Sequence, residues 1–228
     1  MGVISVLQKV NSSYPWSHND FYHRWICSEL PVRRDAALDV GCGGGSLLVE
    51  LSPRFGRVDG VEPERDLAAA TAARVAALST VSVSCAGFVD VGGIGRYDLI
   101  TMVAVLHHMP LEPSLDRAEK LLKPGGRLVV VGCYRAESRA DRVVGILALV
   151  ANPMVGFVKN RGRRPGRLPD GMMAPTADPV ESLADIRTAA QVHLPGSRIT
   201  RRLFWRYSLL HTKPAGPRPR VGEIRTGS

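Results

Sequence analysis

Residues 36–45 read Ala-Ala-Leu-Asp-Val-Gly-Cys-Gly-Gly-Gly, and this stretch decides the fold. A short apolar run ends in a cluster of glycines, and Leu47, Leu48 and Leu51 follow at helical spacing. Glycine permits the backbone angles of a tight turn, and without a β-carbon it lets the backbone approach a ligand closely. The order predicts a strand, a glycine loop and a helix.

The same alternation continues along the chain. The pattern predicts strands over 57–61, 81–85, 97–103 and 127–133, with helices over 64–78 and 115–123. Further on, it predicts a helix over 179–192 with Asp178 as its N-cap, and two antiparallel strands within 199–213. Strands that alternate with helices imply an α/β fold, whose mostly parallel sheet has helices on both faces and an antiparallel C-terminal strand.

Length and composition favour one globular domain over residues 1–213. An N-terminal cap segment, 1–30, precedes the sheet, and within it Ser17 and Asp20 resemble a capping box at the start of a predicted amphipathic helix that Pro31 stops. An insertion over 140–178 interrupts the alternation, and the Pro-, Gly- and Arg-rich residues 214–228 predict a flexible tail. No secretory signal or membrane-length apolar run is visible, so we expect a cytoplasmic protein that does not bind membranes.

Two counts narrow the range of partners. The four cysteines are widely separated and form no CxxC pair, so no metal site is predicted. The net charge of +9 lies entirely in the last third, because residues 159–228 hold 14 basic and 5 acidic side chains while residues 1–158 hold 16 of each. This excess keeps a nucleic-acid partner open as the less favoured possibility.

An acidic residue sharpens the meaning of the glycine loop. Glu62 ends the next predicted strand, 21 residues beyond Gly41, where its carboxylate can accept both hydroxyls of a ribose. The loop itself reads GxGxG, whereas GxGxxG serves a pyrophosphate. The combination predicts a cofactor that contains a nucleoside.

The chain resembles the class I methyltransferases that use S-adenosylmethionine, especially the broad type 11 group with its small-molecule and quinone-biosynthesis enzymes. The motifs that carry the resemblance lie within about residues 30–133: LDVGCGGG at 38–45, VEP at 61–63, YDLI at 97–100, VLHHM at 105–109 and LLKPGGRL at 121–128. The resemblance implies a Rossmann-like, seven-stranded sheet and S-adenosyl-L-methionine as cofactor.

By position, the resemblance implies that the loop wraps the methionine part, that Glu62 holds the ribose and that Asp39 acts near the amino group. Phe88 occupies the approximate place where the family often has an acidic residue beside adenine, and Asp90 follows two positions on. Whether Phe88 or Asp90 contacts adenine stays open. The full set of predicted cofactor-binding residues is Asp39, Gly41, Cys42, Gly43, Gly45, Glu62, Pro63, Phe88 and Val103.

Methyl transfer from a sulfonium is an in-line displacement, so alignment supplies much of the catalysis and a base is needed only for a weakly acidic acceptor. His107 and His108 follow the fourth predicted strand, where open α/β sheets place their ligands. Either histidine is a candidate proton acceptor, and the alternative is that the pair only shapes the cofactor pocket.

The predicted substrate is a small apolar or aromatic metabolite, because the insertion carries apolar residues suited to such an acceptor. The N-terminal segment is expected to close over the cofactor. Candidate substrate and lid residues are Tyr14, His18, Tyr22, Leu147, Val150 and Met154. Two alternatives stay open: an RNA methyltransferase that uses the basic C-terminal third, and a cofactor-binding protein that no longer methylates. The acceptor, the methylated atom and the oligomeric state are not predicted.

Overall fold

The fold is given by a computed structural model, in which residues 20–137, 178–203 and 206–215 are described. Most of the insertion and the C-terminal tail lie outside these ranges. So do five of the six candidate substrate and lid residues: Tyr14, His18, Leu147, Val150 and Met154. The predictions for these residues, and for the domain limits that depend on them, stay predictions.

Seven strands form one sheet in the order β3-β2-β1-β4-β5-β7-β6. The strands are β1 (Ala36–Val40), β2 (Arg57–Glu62), β3 (Val81–Cys85), β4 (Tyr97–Val103), β5 (Leu122–Cys133), β6 (Arg198–Arg202) and β7 (Arg206–Thr212). The pairs among β1 to β5 are parallel, and β7 pairs antiparallel with both β5 and β6. The predicted fold class is confirmed.

The strand order reverses between β1 and β4, because the chain leaves β1 for β2 on one side and reaches β4 on the other. In open α/β sheets, ligands bind in the crevice at the carboxyl ends of the strands beside such a reversal. The glycine loop begins at the carboxyl end of β1, and the His107–His108 pair follows the carboxyl end of β4. The topology therefore brings the two motifs to one edge.

Helices cover both faces of the sheet. The described helices are α1 (His23–Ser28), α2 (Ser46–Leu51), α3 (Arg65–Val75), α4 (Leu111–Leu121) and α5 (Leu183–His193). Side chains of α1 and α2 pack on one face in a cluster that includes Ala37 and Leu99. Side chains of α4 and α5 pack on the other face with Leu38 and Ile100. Neighbouring residues of one strand point to opposite faces, so each face buries its own core.

Several element limits differ from the sequence predictions. The helix predicted over 179–192 begins at Leu183, because Ser182 and not Asp178 is its N-cap. Ser182 Oγ accepts the Asp185 N–H at 3.2 Å, and the Asp185 carboxylate accepts the Ser182 N–H at 2.8 Å, which satisfies both backbone donors. Strand β5 begins at Leu122, five residues before the predicted start at 127, and its register with β4 is irregular opposite Tyr97–Leu99.

Two further limits of the helical segments are as follows. Helix α4 begins at Leu111, earlier than the predicted 115, and the described part of the N-terminal segment is a 3-10 turn, Asp20–Tyr22, followed by α1. Within the described ranges, no helix is long and apolar enough to span a bilayer.

Candidate functional site

Three glycines of the loop adopt left-handed backbone angles. The φ angles of Gly41, Gly43 and Gly45 are 65°, 49° and 75°, values that side chains of L-residues disfavour. A β-carbon on Gly41 would lie 2.6 Å from Val105 Cγ2, whereas one on Gly43 would meet no atom within 4 Å. Gly41 is therefore packed against the chain, and Gly43 leaves the outer side of the loop bare.

Neighbouring elements hold the backbone of this loop in place. The amides of Gly41 and Cys42 both donate to the Val61 carbonyl, at 2.8 and 3.1 Å. From α3, the buried Thr71 hydroxyl donates to the Gly43 carbonyl, and the Arg74 guanidinium donates to the Gly44 carbonyl at 2.6 Å. Because its carbonyls are held from outside, the loop is preorganised before any ligand arrives.

The Glu62 carboxylate lies beneath the loop at the carboxyl end of β2. One oxygen accepts the Gly43 N–H at 3.0 Å, and the other accepts the Glu64 N–H at 3.2 Å. The side chain is buried, with 8% of the residue exposed. Each carboxylate oxygen retains a further acceptor position, so the group is fixed by the backbone and still able to accept ligand hydroxyls.

Asp39 is a second buried carboxyl group, at 3% exposure. Its Oδ1 accepts the Thr101 hydroxyl of β4 at 2.7 Å, which follows from the direct pairing of the two residues in the sheet. Burial raises the pKa of Asp39 to about 7, and the nearby Glu62 carboxylate acts in the same direction. The site therefore holds a carboxyl group that titrates near neutral pH and gains from a cationic partner.

Cys42 contributes its backbone to the loop, but its side chain belongs to the core. The residue is buried in the cluster on the α2 face, and burial raises the pKa of its thiol. Val103, the last residue of β4, also packs on that cluster. Neither side chain lines the cavity described next, so a cofactor role for them would have to be indirect.

A cavity of about 790 Å³ adjoins the glycine loop. Its wall beside the loop is formed by Gly41, Val61 and Pro63, and its far wall by residues of α4. The lining is mostly apolar and includes the side chains of Phe88, Val105, His108 and Met109. A mostly apolar space of this kind suits a heterocyclic ligand. Asp39, Gly43 and Glu62 are not among the residues that line it.

Phe88 and Asp90 occupy different positions at this cavity. Phe88 lines it and is buried, whereas Asp90 is exposed. The Asp90 carboxylate turns back and accepts the Gly87 N–H at 2.9 Å, which caps the 3-10 turn Phe88–Asp90. Of the two residues between which the sequence left the choice open, Phe88 is the one that forms the wall.

After β4 the chain makes a turn that the sequence did not indicate. Ala104 has φ of 55°, and its amide donates to the Val131 carbonyl at 2.7 Å. A non-glycine residue in the left-handed region carries a conformational cost and is common at functional sites. Here the turn directs Val105 onto Gly41 and so joins the end of β4 to the glycine loop.

The two candidate histidines face different surroundings. Their rings lie 4.0 Å apart, but His108 is exposed and lines the cavity while His107 is half-buried. Burial lowers the pKa of His107 to about 4, with smaller contributions from His108 and Arg206. His107 Nδ1 is buried and has no hydrogen-bond partner among the described residues. His107 is thus held neutral, whereas His108 is the one placed at the cavity.

Tyr22 is the one candidate lid residue that the structure describes. It is buried, and its hydroxyl donates to the Leu203 carbonyl at 2.8 Å, so it ties the N-terminal segment to the end of β6. It is not among the residues that line the cavity. The described residues contain no cluster of His, Cys, Asp or Glu that could hold a metal ion.

Three residues of the site escaped sequence reasoning: Thr101, Ala104 and Arg117. Thr101 left a usable signal, since it is a lone hydroxyl within the buried run Leu99-Ile100-Thr101-Met102 of a central strand. Arg117 lines the cavity from α4 and donates to the Phe88 carbonyl, a contact between residues 29 apart. No local pattern announces such a contact.

Comparisons with known proteins agree with this geometry. Residues 38–128 match a family model described as a methyltransferase domain. The chain is 27% identical over 204 residues to an uncharacterized methyltransferase of Mycobacterium tuberculosis, covering 84% of this chain and 94% of that protein. It is 29% identical over 171 residues to a ubiquinone biosynthesis O-methyltransferase of Ralstonia nicotianae, covering 63% and 69%.

Among solved structures, the fold is similar to that of a SAM-dependent methyltransferase from Aquifex aeolicus. The TM-score is 0.55 at 16% identity, and the alignment covers 93% of this chain and 99% of that one. The matched family model spans the glycine loop, Glu62, the cavity wall and both histidines. Residues 38–128 therefore form a methyltransferase domain, and the comparisons support a class I, type 11-like methyltransferase with a Rossmann-like fold.

Proposed function

We propose that this methyltransferase transfers the methyl group of S-adenosylmethionine to a small apolar or aromatic metabolite by in-line displacement. The observation that carries the proposal is the bare side of the glycine loop at Gly43, whose amide donates to the buried Glu62 carboxylate, in a loop that adjoins a largely apolar cavity through Gly41. The arrangement offers polar groups for a sugar and an amino acid at one end, and apolar surface for a base at the other.

The residues present fit this cofactor. The bare Gly43 backbone admits close approach of the methionine part, and the fixed Glu62 oxygens would accept the ribose hydroxyls. Asp39 would gain a cationic neighbour in the amino group, which favours its ionised form. Val61, Pro63 and Phe88 would enclose the purine. When bound, S-adenosylmethionine supplies an electrophilic methyl group on a sulfonium.

The chain's own contribution to the reaction is chiefly alignment. Holding the acceptor atom in line with the methyl group converts a bimolecular step into one between bound partners. Apolar walls exclude water, which would otherwise compete for the acceptor position. The protein therefore needs few reactive side chains near the methyl group.

If the acceptor is a hydroxyl or an amine that must lose a proton, His107 and His108 are the candidate acceptors of that proton. His107 is neutral throughout the neutral range because burial depresses its pKa to about 4, and this same shift makes it a weak base. His108 lines the cavity and is exposed to solvent. Of the two, His108 is better placed to pass a proton to water.

Two observations support a small metabolite over RNA. The Ralstonia nicotianae relative is named for O-methylation in ubiquinone biosynthesis, a small-molecule reaction. On this chain, Arg198 lies 3.7 Å from Glu29, and the Arg202 guanidinium donates to Ser208 Oγ and lies over the Trp25 ring. The Arg202 guanidinium is engaged within the fold and Arg198 has an acidic neighbour, which disfavours a phosphate-binding face on these strands.

The test is methyl transfer from labelled S-adenosylmethionine to two separate acceptor pools, a small-metabolite extract and purified cellular RNA. We expect label in the small-metabolite pool with the wild-type protein and none with Gly43→Val. Label in RNA alone, at a level that falls steeply with salt, would make RNA the substrate. Cofactor binding without label in either pool would instead favour a protein that no longer methylates.

A further inference from the structure

Arg117, which lines the cavity from α4, holds the turn that carries Phe88. Its Nε donates to the Phe88 carbonyl at 2.8 Å, and its Nη2 donates to the Val91 carbonyl. The guanidinium carbon lies 5.8 Å from the centre of the Phe88 ring. One side chain therefore contacts the first residue of this turn, the residue that follows it and the aromatic ring between the turn and the cavity.

The other hydrogen bonds of this turn are local. The Asp90 N–H donates to the Gly87 carbonyl at 3.0 Å, the Val91 N–H donates to the Phe88 carbonyl at 3.3 Å, and the Asp90 carboxylate accepts the Gly87 N–H. These bonds shape the turn but do not set its distance from α4. The next backbone bond to α4 comes four residues beyond Val91, where the Gly95 N–H donates to the Lys120 carbonyl.

The segment after the turn is rich in glycine, and it cannot position the turn by itself. Gly93 and Gly95 have φ angles of 99° and 58°, and between them stands the exposed Ile94. Glycines widen the range of backbone conformations available to a segment. Besides the packing of the buried Phe88 ring, the charge-assisted bonds from Arg117 are accordingly the polar contacts that tie this turn to α4.

We propose that Arg117 is a positioning residue for the nucleoside of the cofactor: it fixes the Phe88 turn at the wall of the cavity that would receive the purine. This inference rests on the proposed function, in which the cavity beside Phe88 receives that purine. A ligand that carries adenosine would lose affinity when Arg117 is removed, whatever is attached at its 5′ position. The methionine end, held by the glycine loop, would keep its geometry.

Arg96 provides a matched control. Its Nη1 donates to the Gly92 carbonyl at 2.9 Å, and its guanidinium carbon lies 5.4 Å from the centre of the Tyr97 ring. These are the same two kinds of contact on the same connecting segment. Arg96 does not line the cavity, although Gly93 and Ile94 of the same segment do, so its loss tests general loosening of the segment without removing a contact to Phe88.

The experiment is calorimetric titration of S-adenosylhomocysteine and of 5′-methylthioadenosine into wild type, Arg117→Gln, Arg117→Lys and Arg96→Gln. We expect Arg117→Gln to weaken both ligands by a similar factor of about tenfold, which corresponds to the loss of one or two charge-assisted bonds. Arg117→Lys should recover part of that loss, since an ammonium can still reach one carbonyl. Arg96→Gln should stay within about twofold of wild type.

Thermal unfolding of each variant, and amide exchange over residues 86–91, accompany the titrations. Faster exchange over that segment in Arg117→Gln, but not in Arg96→Gln, is the expected result. If wild type binds and both Arg117 variants bind equally well, the inference fails while the proposed function stands. If wild type binds neither ligand, the proposed function fails as well. Equal losses for Arg117→Gln and Arg96→Gln would reduce Arg117 to general support of the loop.

Discussion

The two ends of the candidate site, the glycine loop and the cavity wall at Phe88, are built by different means. At the loop end, the polar groups follow two neighbouring strands and lie within a short stretch of sequence. The Gly43 amide donates to Glu62, and Asp39 is close enough to Glu62 for the two carboxyl groups to interact. At the Phe88 end, the wall is an aromatic ring held by an arginine 29 residues away. The loop end is therefore determined by the types of residue in a local motif, and the Phe88 end by contacts between residues far apart in sequence.

The two ends also differ in what they do to stability. Asp39 at the loop end is a buried carboxyl group that its surroundings make costly to ionise. At the other end, Phe88 buries apolar surface, which favours the folded state. The buried carboxyl group at the loop end thus costs stability in the free protein, whereas the wall at the Phe88 end contributes to stability.

The largest effect is expected from filling the bare side of the loop. Gly43→Val should weaken S-adenosylhomocysteine by about a hundredfold or more, because its side chain would occupy the space that the ligand needs. Gly196→Val is the matched control: Gly196 also has positive φ, at 80°, and open space around it, but lies far along the chain before β6. Calorimetry and thermal unfolding of both variants make the comparison.

Both variants carry the same conformational strain, so both should lose similar stability. Only Gly43→Val should lose binding. Parallel loss of binding in the two variants would show that general destabilisation, and not occupation of the site, is responsible.

Asp39→Asn is expected to have a smaller effect: it should raise the stability of the free protein and weaken ligand binding. The folded pKa of Asp39, about 7, lies above its ordinary value of 3.8, so the native state binds more protons between these values and its stability falls as pH rises. Asn keeps an oxygen that can accept the Thr101 hydroxyl and carries no charge. The variant should melt higher than wild type without ligand, with the largest gain above pH 7.

The same substitution should weaken S-adenosylhomocysteine, since it removes the negative partner proposed for the amino group. In wild type, affinity should rise with pH through about 7 as Asp39 ionises. Melting curves at pH 5, 7 and 8.5, with titrations at the same values, provide the measurement. A pH-independent gain in melting temperature would contradict the assignment of this titration to Asp39.

The smallest effects are expected from the histidines. His108→Ala should weaken the cofactor a few-fold, because His108 lines the cavity, and His107→Ala should leave cofactor affinity unchanged. Turnover should fall by much less than a hundredfold in both, as expected if alignment dominates. A hundredfold loss of turnover at unchanged affinity, with a matching change in the pH profile, would instead identify a general base.

Much of the fold was predictable from the sequence because it is written in local patterns. Alternating strand and helix patterns predicted the parallel sheet and its antiparallel C-terminal strands, and the structure confirms them. The predicted start of α5 was wrong because the sequence offers two candidate N-caps. Asp178 precedes a proline, but the side chains of Ser182 and Asp185 each accept the other residue's backbone N–H. The better-satisfied backbone determined where the helix begins.

The parts of the candidate site that could be predicted are those formed by residues that belong to a short sequence motif. The spacing of Gly41, Gly43 and Glu62 in the sequence indicates a nucleoside-binding motif, and the structure brings the loop and Glu62 together. The contact of Arg117 with Phe88 depends on how α4 packs against the sheet, and the left-handed Ala104 depends on its bond to β5. Such features arise from tertiary structure and leave no periodic signal in sequence.

Glu62 and the glycine loop are the groups proposed to bind the cofactor. The most direct measurement is calorimetric titration of S-adenosylhomocysteine into wild type and Glu62→Ala, with Glu64→Ala as control because its exposed carboxylate only caps α3. We predict micromolar binding by wild type and Glu64→Ala, and a loss of about 1 to 3 kcal/mol in Glu62→Ala, the cost of poorly paired ribose hydroxyls. Equal affinity of Glu62→Ala and wild type would contradict the account.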